Sequence, residues 1–251
     1  MLKAEKLSKT YEDGTKALEN LDLQINEGEI YCLLGANGAG KTTTINLFLN
    51  FLHPTSGIVL INGIDVVKNP LDSKKFVSYV PEQVMLYGNL RATHNLEFFS
   101  NLGGRRGLGR NDYYSILKKV GLEEKVFEKK VKYFSKGMRQ KVALAIAIIK
   151  GAPNMLLDEP TAGLDPKAAH EFTRILMDLR DEGKAILVST HDIFRAKQIA
   201  NRIGIMKHGI LVAEMEPQAI VNDNIEGLYL DLIDNREVTM GEKNYNVSVS
   251  V

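Results

Sequence analysis

The chain has one cysteine, Cys32, in 251 residues. That excludes an internal disulfide framework and any zinc site built on a cysteine cluster. Long hydrophobic runs are also missing. The longest, Val142 to Ile149, is eight residues, whereas a bilayer span needs about 20. The N-terminus, MLKAEKLSKTYEDG, places charges where a signal peptide would carry its apolar stretch, so export is not expected. Net charge is nearly absent too: 32 Lys+Arg stand against 31 Asp+Glu, leaving +1, too balanced for wholesale nucleic-acid binding. Proline is scarce at 7, and there is no internal repeat or low-complexity tract. The expectation is a soluble chain of a reducing compartment, one large domain or two small ones. It is long enough to bury a core without disulfides or a structural metal.

Charge is present locally. Leu102 to Lys141 holds 12 basic and 4 acidic residues, and Glu214 to Glu237 holds 7 acidic residues and only Arg236 as a base. Both fit solvated helix faces; the basic stretch also suits an anionic membrane surface or the acidic loops of a partner. Gly103 to Gly109, GGRRGLG, reads as a surface loop. Short apolar strands are expected at Ile30–Leu34, Gly57–Gly63, Phe76–Val80, Met155–Leu157, Ala185–Ser189 and Arg202–Met206. Helices are expected from Lys41 to about Phe51 and over Asn95–Asn101, Tyr113–Val120, Lys136–Ile149, Pro166–Arg180 and His191–Ile199. Asp165 and Pro166 stand as N-cap and first residue of the helix over 166–180. Buried strands alternating with helices imply an α/β protein with a mostly parallel sheet covered on both faces. The basic middle third interrupts that alternation as an inserted helical subdomain.

Gly35-Ala-Asn-Gly-Ala-Gly-Lys41-Thr42 fits G-x-x-x-x-G-K-[ST] after a strand and at the opening of a helix. Glycines let the backbone wrap so that successive N–H groups face phosphate oxygens, and the helix N-terminus adds its positive end. Lys41 suits the β- and γ-phosphates, and the Thr42 hydroxyl suits Mg²⁺. Gly35, Ala36, Asn37, Gly38, Ala39, Gly40, Lys41, Thr42 and the following Thr43 are therefore the expected phosphate cradle. Asn154-Met-Leu-Leu-Asp158-Glu159-Pro160 describes a buried strand releasing two carboxylates at its C-terminal end, where open α/β sheets bind ligands. Asp158 suits the metal side, and Glu159 a base that orients attacking water.

With these motifs in this order, the chain from about Leu2 to Val212 resembles the nucleotide-binding subunit of ATP-binding cassette transporters, of the exporter type. The resemblance implies a P-loop NTPase core, an N-terminal antiparallel β subdomain and a helical insert at about 84–150, all within residues 1–215. Residues 216–251 are left as a C-terminal extension that matches no motif. Tyr11 stands at the family's adenine-stacking position. Tyr133-Phe-Ser135-Lys-Gly137-Met-Arg-Gln140 is similar to the family signature L-S-G-G-Q, so Ser135, Lys136, Gly137 and Met138 are expected to grip the γ-phosphate held by another subunit. Ser135 would cap the helix, making its N-terminus an anion site. Ala162-Gly-Leu-Asp165 resembles the dimer-contacting loop, and Ser189-Thr-His191 the switch histidine, whose imidazole would position the attacking water. In Tyr79-Val-Pro81-Glu82-Gln83 the family's glutamine would directly follow proline. Here Glu82 takes that place, and Gln83 is narrowly favoured as the nucleotide and metal contact, with Glu82 the alternative.

The resemblance implies an ATPase using ATP and Mg²⁺ that works as a head-to-tail dimer with a second ATP-binding subunit. Its closure would drive separately encoded integral-membrane permease subunits, so the chain would lie in the cytoplasm, peripheral on the inner face of the cell membrane. No nucleic acid is implied. The competing function is a soluble cassette ATPase acting on DNA or ribosomes; the single cassette and the lack of a heptad run count against it. No Asn-Lys-x-Asp guanine motif occurs to suggest a GTPase.

Overall fold

The computed structural model describes residues 1–216 together with Gly227. Most of the acidic stretch after Glu214 and the terminal Asn-Val-Ser-Val-Ser-Val lie outside the described residues. The elements in chain order are β1 (Leu2–Thr10), β2 (Lys16–Ile25), β3 (Glu29–Leu34), α1 (Lys41–Phe48), β4 (Ser56–Ile61), β5 (Ile64–Asp65), α2 (Pro70–Lys75) and β6 (Val77–Val80). There follow α3 (Ala92–Leu102), α4 (Arg110–Lys119), α5 (Lys136–Ile149), β7 (Asn154–Asp158), α6 (Pro166–Asp181), β8 (Ala185–Thr190), α7 (Ile193–Ile199), β9 (Arg202–Lys207) and β10 (Ile210–Met215).

A six-stranded sheet in the order β10-β9-β3-β8-β7-β6 is parallel except for its β10 edge. A four-stranded antiparallel sheet runs β2-β1-β4-β5. Strand β3 shows why the sheets share an interior: all six of its residues are buried. Ile30, Cys32 and Leu34 face one apolar cluster with α5, α6 and α7, while Tyr31 and Leu33 face another with α1 and the antiparallel sheet. A strand covered on both faces has no polar side to spare, hence its unalternating sequence. Burial also pushes the Cys32 thiol well above its ordinary range. The helices α3 and α4 pack on α5, so the middle third is helical as expected. No helix among the described residues is long and apolar enough to cross a membrane.

Helices α3 and α4 each begin three residues before the sequence-based expectation, at Ala92 and Arg110, and other boundaries differ for identifiable reasons. Helix α1 stops at Phe48 rather than near Phe51, because Asn50 takes a left-handed conformation (φ 53°) just past the C-cap, a role more often given to glycine. The strand expected over Gly57–Gly63 is β4, but it ends at Ile61 and the last two residues of that stretch form a turn. Asn62 and Gly63, both at positive φ, turn β4 back into β5 with Ile61 opposite Ile64, the Asn-Gly hairpin turn. Helix α7 begins at Ile193, capped by Asp192, whose side chain accepts from the Arg195 N–H at 3.1 Å. His191 is therefore outside the helix, in the link after β8.

Candidate active site

Strand β3 delivers the chain into the turn before α1. A Cβ on Gly35 would lie 2.5 Å from the Met206 carbonyl oxygen, and one on Gly40 2.6 Å from that of Ala17. Gly40 also stands at φ 107°. Glycine is thus required by both sterics and backbone conformation. Lys41, first in the helix and only 5% exposed, donates from Nζ to the carbonyl oxygens of Gly35 (2.7 Å) and Ala36 (3.1 Å).

The strand ends across the sheet bring the acids to this loop. Asp158 closes β7; its Oδ1 accepts from Thr42 Oγ1 at 3.2 Å and from the Ser189 hydroxyl. Glu159, the next residue, is held in a left-handed conformation (φ 43°). Its N–H donates to both the carbonyl oxygen (3.2 Å) and the hydroxyl (3.0 Å) of Ser189. Its Oε2 lies 2.9 Å from His191 Nδ1. Its Oε1 is buried without a hydrogen-bond partner, and the nearest cation, Lys41 Nζ, is 3.4 Å away. An orphaned buried carboxylate oxygen beside a threonine hydroxyl and a second acid is the donor chemistry a hard cation takes together with phosphate oxygens.

A cleft of about 490 Å³ opens over these groups, walled by Tyr11, Thr15, Lys16, Ala17, the loop Asn37–Thr43, Glu82, Glu159, Ala162 and His191. Tyr11 is 37% exposed, and its phenol lies 3.2 Å from Thr43 Oγ1. Glu82 lines the cleft, whereas Gln83, also exposed, is not among the lining residues. Below them Tyr79 has its phenol pushed up to about 12, first by burial and then by the negative charges of Asp158 and Glu82.

Ser135, Lys136, Gly137, Met138 and Asp165 lie elsewhere. Ser135 caps α5, its Oγ accepting from the Met138 N–H at 3.2 Å. Asp165 caps α6, accepting from the Ala168 N–H at 2.9 Å. A Cβ on Gly137 would come within 3.1 Å of the Ala168 side chain, so the two capped helices meet closely there. Ser135, Gly137, Met138 and Asp165 border a second cavity of about 380 Å³ that shares no lining residue with the first. The loop from Glu159 to Asp165 joins them, with Ala162 in the first wall and Asp165 in the second. Lys136 reaches onto this loop, its Nζ 2.7 Å from where a Cβ on Gly163 would stand. Sequence reasoning assigned no role to Ser189, Thr15, Lys16 or Ala17. The signal for Ser189 was a hydroxyl ending the apolar run Ala185–Val188 of a fully buried strand.

A parallel sheet ending in a glycine loop, a lysine opening the next helix and two acids at a strand end defines a phosphate-loop nucleoside triphosphatase. A family model described as "ABC transporter" matches residues 18–162, and the chain belongs to that family. It is 33% identical over 229 residues to the lantibiotic transport ATP-binding protein SrtF of Streptococcus pyogenes, covering 91% of this chain and 96% of that one. It is 32% identical over 249 residues to the bacitracin transport ATP-binding protein BcrA of Bacillus licheniformis, covering 98% and 80%. A dimeric ATP-binding cassette solved after hydrolysis with ADP and Pi superposes with a TM-score of 0.77 at 31% identity, covering 86% of this chain and 99% of that one. The chain is an ATP-binding and ATP-hydrolysing subunit of a transporter, which decides against the DNA or ribosome alternative.

Proposed function

We propose that two such cassettes close head to tail, each placing Ser135 to Met138 over the nucleotide in the other's cleft, and that closure drives export through separate integral-membrane subunits. The observation carrying this is the separation of two half-sites on one chain. The phosphate cleft and the capped helix pair share no lining residue, so a second subunit, the same or a different chain, completes each site. The exporter reading is supported by relatives named for lantibiotic and bacitracin transport.

In this reading Tyr11 stacks on adenine, while the N–H groups of Gly35 to Thr43 and the Lys41 ammonium hold the phosphates. Mg²⁺, held at Thr42 and on the Asp158 side, would neutralise developing charge on the phosphates. Glu159 takes the proton of the attacking water, and His191, 2.9 Å from it, orients that carboxylate and the water. Of the two candidates for the loop contact, Glu82 rather than Gln83 takes it, because Glu82 borders the cleft. Asp165 passes the state of one cleft to the partner-facing helix pair.

The cassette is taken as residues 1–215 with its helical insert at about 84–150, leaving 216–251 as a C-terminal extension with no assigned role. The insert exposes Met85 (84%), Leu102 (74%), Tyr87 (51%) and Phe98 (42%), and Tyr87, Phe98 and Phe99 form a ring cluster with centroids 4.8–6.0 Å apart. Exposed apolar side chains gathered on one insert suit a partner surface, here the membrane subunit. That docking makes the chain peripheral on the cytoplasmic face. Glu159→Gln tests the chemistry: ATP binding is retained, turnover falls by about 10²-fold or more, and an ATP-bound dimer accumulates on sizing columns. Near-normal turnover would remove Glu159 as the base.

A further inference from the structure

We infer that Ser189 is a positioning residue for hydrolysis, its one hydroxyl setting both acids of the site. This rests on Asp158 and Glu159 being the metal-side acid and the base. Ser189 lies on β8 directly opposite Asp158 on β7 in the parallel register, and is fully buried. Its Oγ donates to Asp158 Oδ1 and accepts from the Glu159 N–H at 3.0 Å. A hydroxyl has one proton to give and lone pairs to receive, so the same atom serves both bonds, and no alkyl side chain replaces either.

The two bonds act on different parts of the reaction. The bond to Asp158 fixes the carboxylate that also takes the Thr42 hydroxyl proton at 3.2 Å, leaving the Thr42 oxygen lone pairs directed elsewhere. The bond from the Glu159 N–H holds a non-glycine residue at φ 43°, a conformation that persists only where its surroundings enforce it. From that backbone the Glu159 side chain reaches His191 on one oxygen and faces Lys41 on the other. Without the hydroxyl, the Glu159 N–H keeps only the 3.2 Å carbonyl contact, and Asp158 Oδ1 keeps only Thr42. Ser189 also stands two residues before His191, so one strand end aligns acid, base and histidine.

The test uses Ser189→Ala, Ser189→Thr and Ser189→Val in the full chain. Thr and Val are nearly isosteric and differ in the hydroxyl. Supporting atoms next to a metal site change activity or metal affinity by about 10- to 100-fold when removed. Ser189→Ala and Ser189→Val are expected to lose about tenfold or more in kcat with KM for ATP nearly unchanged. They should also need several-fold more Mg²⁺ to half-saturate ATP binding, measured by calorimetry without turnover. Ser189→Thr should restore both quantities to near wild type. Thermal unfolding checks that all three fold. If the added methyl group impairs Thr and Val alike, the folded Ala variant decides by its kcat and Mg²⁺ requirement. Wild-type kcat and Mg²⁺ requirement in Ser189→Ala overturn the proposal, as does a folded Val variant that matches wild type in both. Failure of the underlying reading is seen separately, as turnover surviving Glu159→Gln.

Discussion

Glu82 and Gln83 are neighbours of almost the same shape, separated by what they face. Glu82 borders the cleft and Gln83 does not, and a carboxylate there brings a third negative group toward Asp158 and Glu159. Its charge is felt at Tyr79, where it adds to burial and Asp158 in holding the phenol up at about 12. Glu82→Gln should therefore lower the Tyr79 pKa toward its ordinary value near 10, because a negative neighbour opposing phenolate formation is gone. NMR of ring-labelled tyrosine follows this, with Tyr79→Phe identifying the signal. The same substitution should change Mg·ATP turnover several-fold, while Gln83→Ala stays within about twofold. The reverse pattern would return the contact to Gln83.

At the scale of elements, the two capped helices proposed to face the partner have caps that separate stability from function. Asp165 accepts the Ala168 N–H and also ends the loop that starts at Glu159. Asp165→Ala should cost about 1 kcal/mol through the lost cap, lowering Tm by about 2–4 °C. Asp165→Asn keeps the cap but loses the charge, so its Tm should stay near wild type; an ATPase defect in the Asn variant would belong to the loop's role between half-sites. Elements announced by such local chemistry were legible in the sequence: Ser135 and Asp165 mark α5 and α6 at the observed N-termini. The phosphate loop was legible for the same reason, since Gly35 and Gly40 answer to steric limits printed in residue type. Less legible were features fixed by distant partners. The antiparallel strands β1 and β2 pair through several register shifts that blur their alternation. Glu82 facing inward, and Ser189 reaching Asp158 across the sheet, depend on contacts 31 or more residues away in sequence or on loop course.

At the scale of the whole molecule, the phosphate cleft and the cavity at the capped helix pair are separate on one chain, and in the proposed dimer the helix pair of each chain would complete the cleft of the other. The loop from Glu159 to Asp165 runs from the wall of one cavity to the wall of the other. Two lesions can therefore be placed on different chains. Lys41→Ala removes the loop cation that faces phosphate, and Ser135→Arg fills the helix N-terminus that would meet the partner's nucleotide; each variant alone should be nearly inactive. Ser135→Arg should still bind ATP as a monomer, because its cleft is untouched. In a mixed dimer, the cleft of the Ser135→Arg chain faces the intact signature of the Lys41→Ala chain. The other site carries both lesions. With equal mixing, half the dimers are mixed and each has one intact site of two, so activity should recover to roughly a quarter of wild type if sites act independently. A site complete within one chain makes the opposite prediction: mixing would yield no more than the average of the two separate rates, and sizing in ATP would show no mixed dimer.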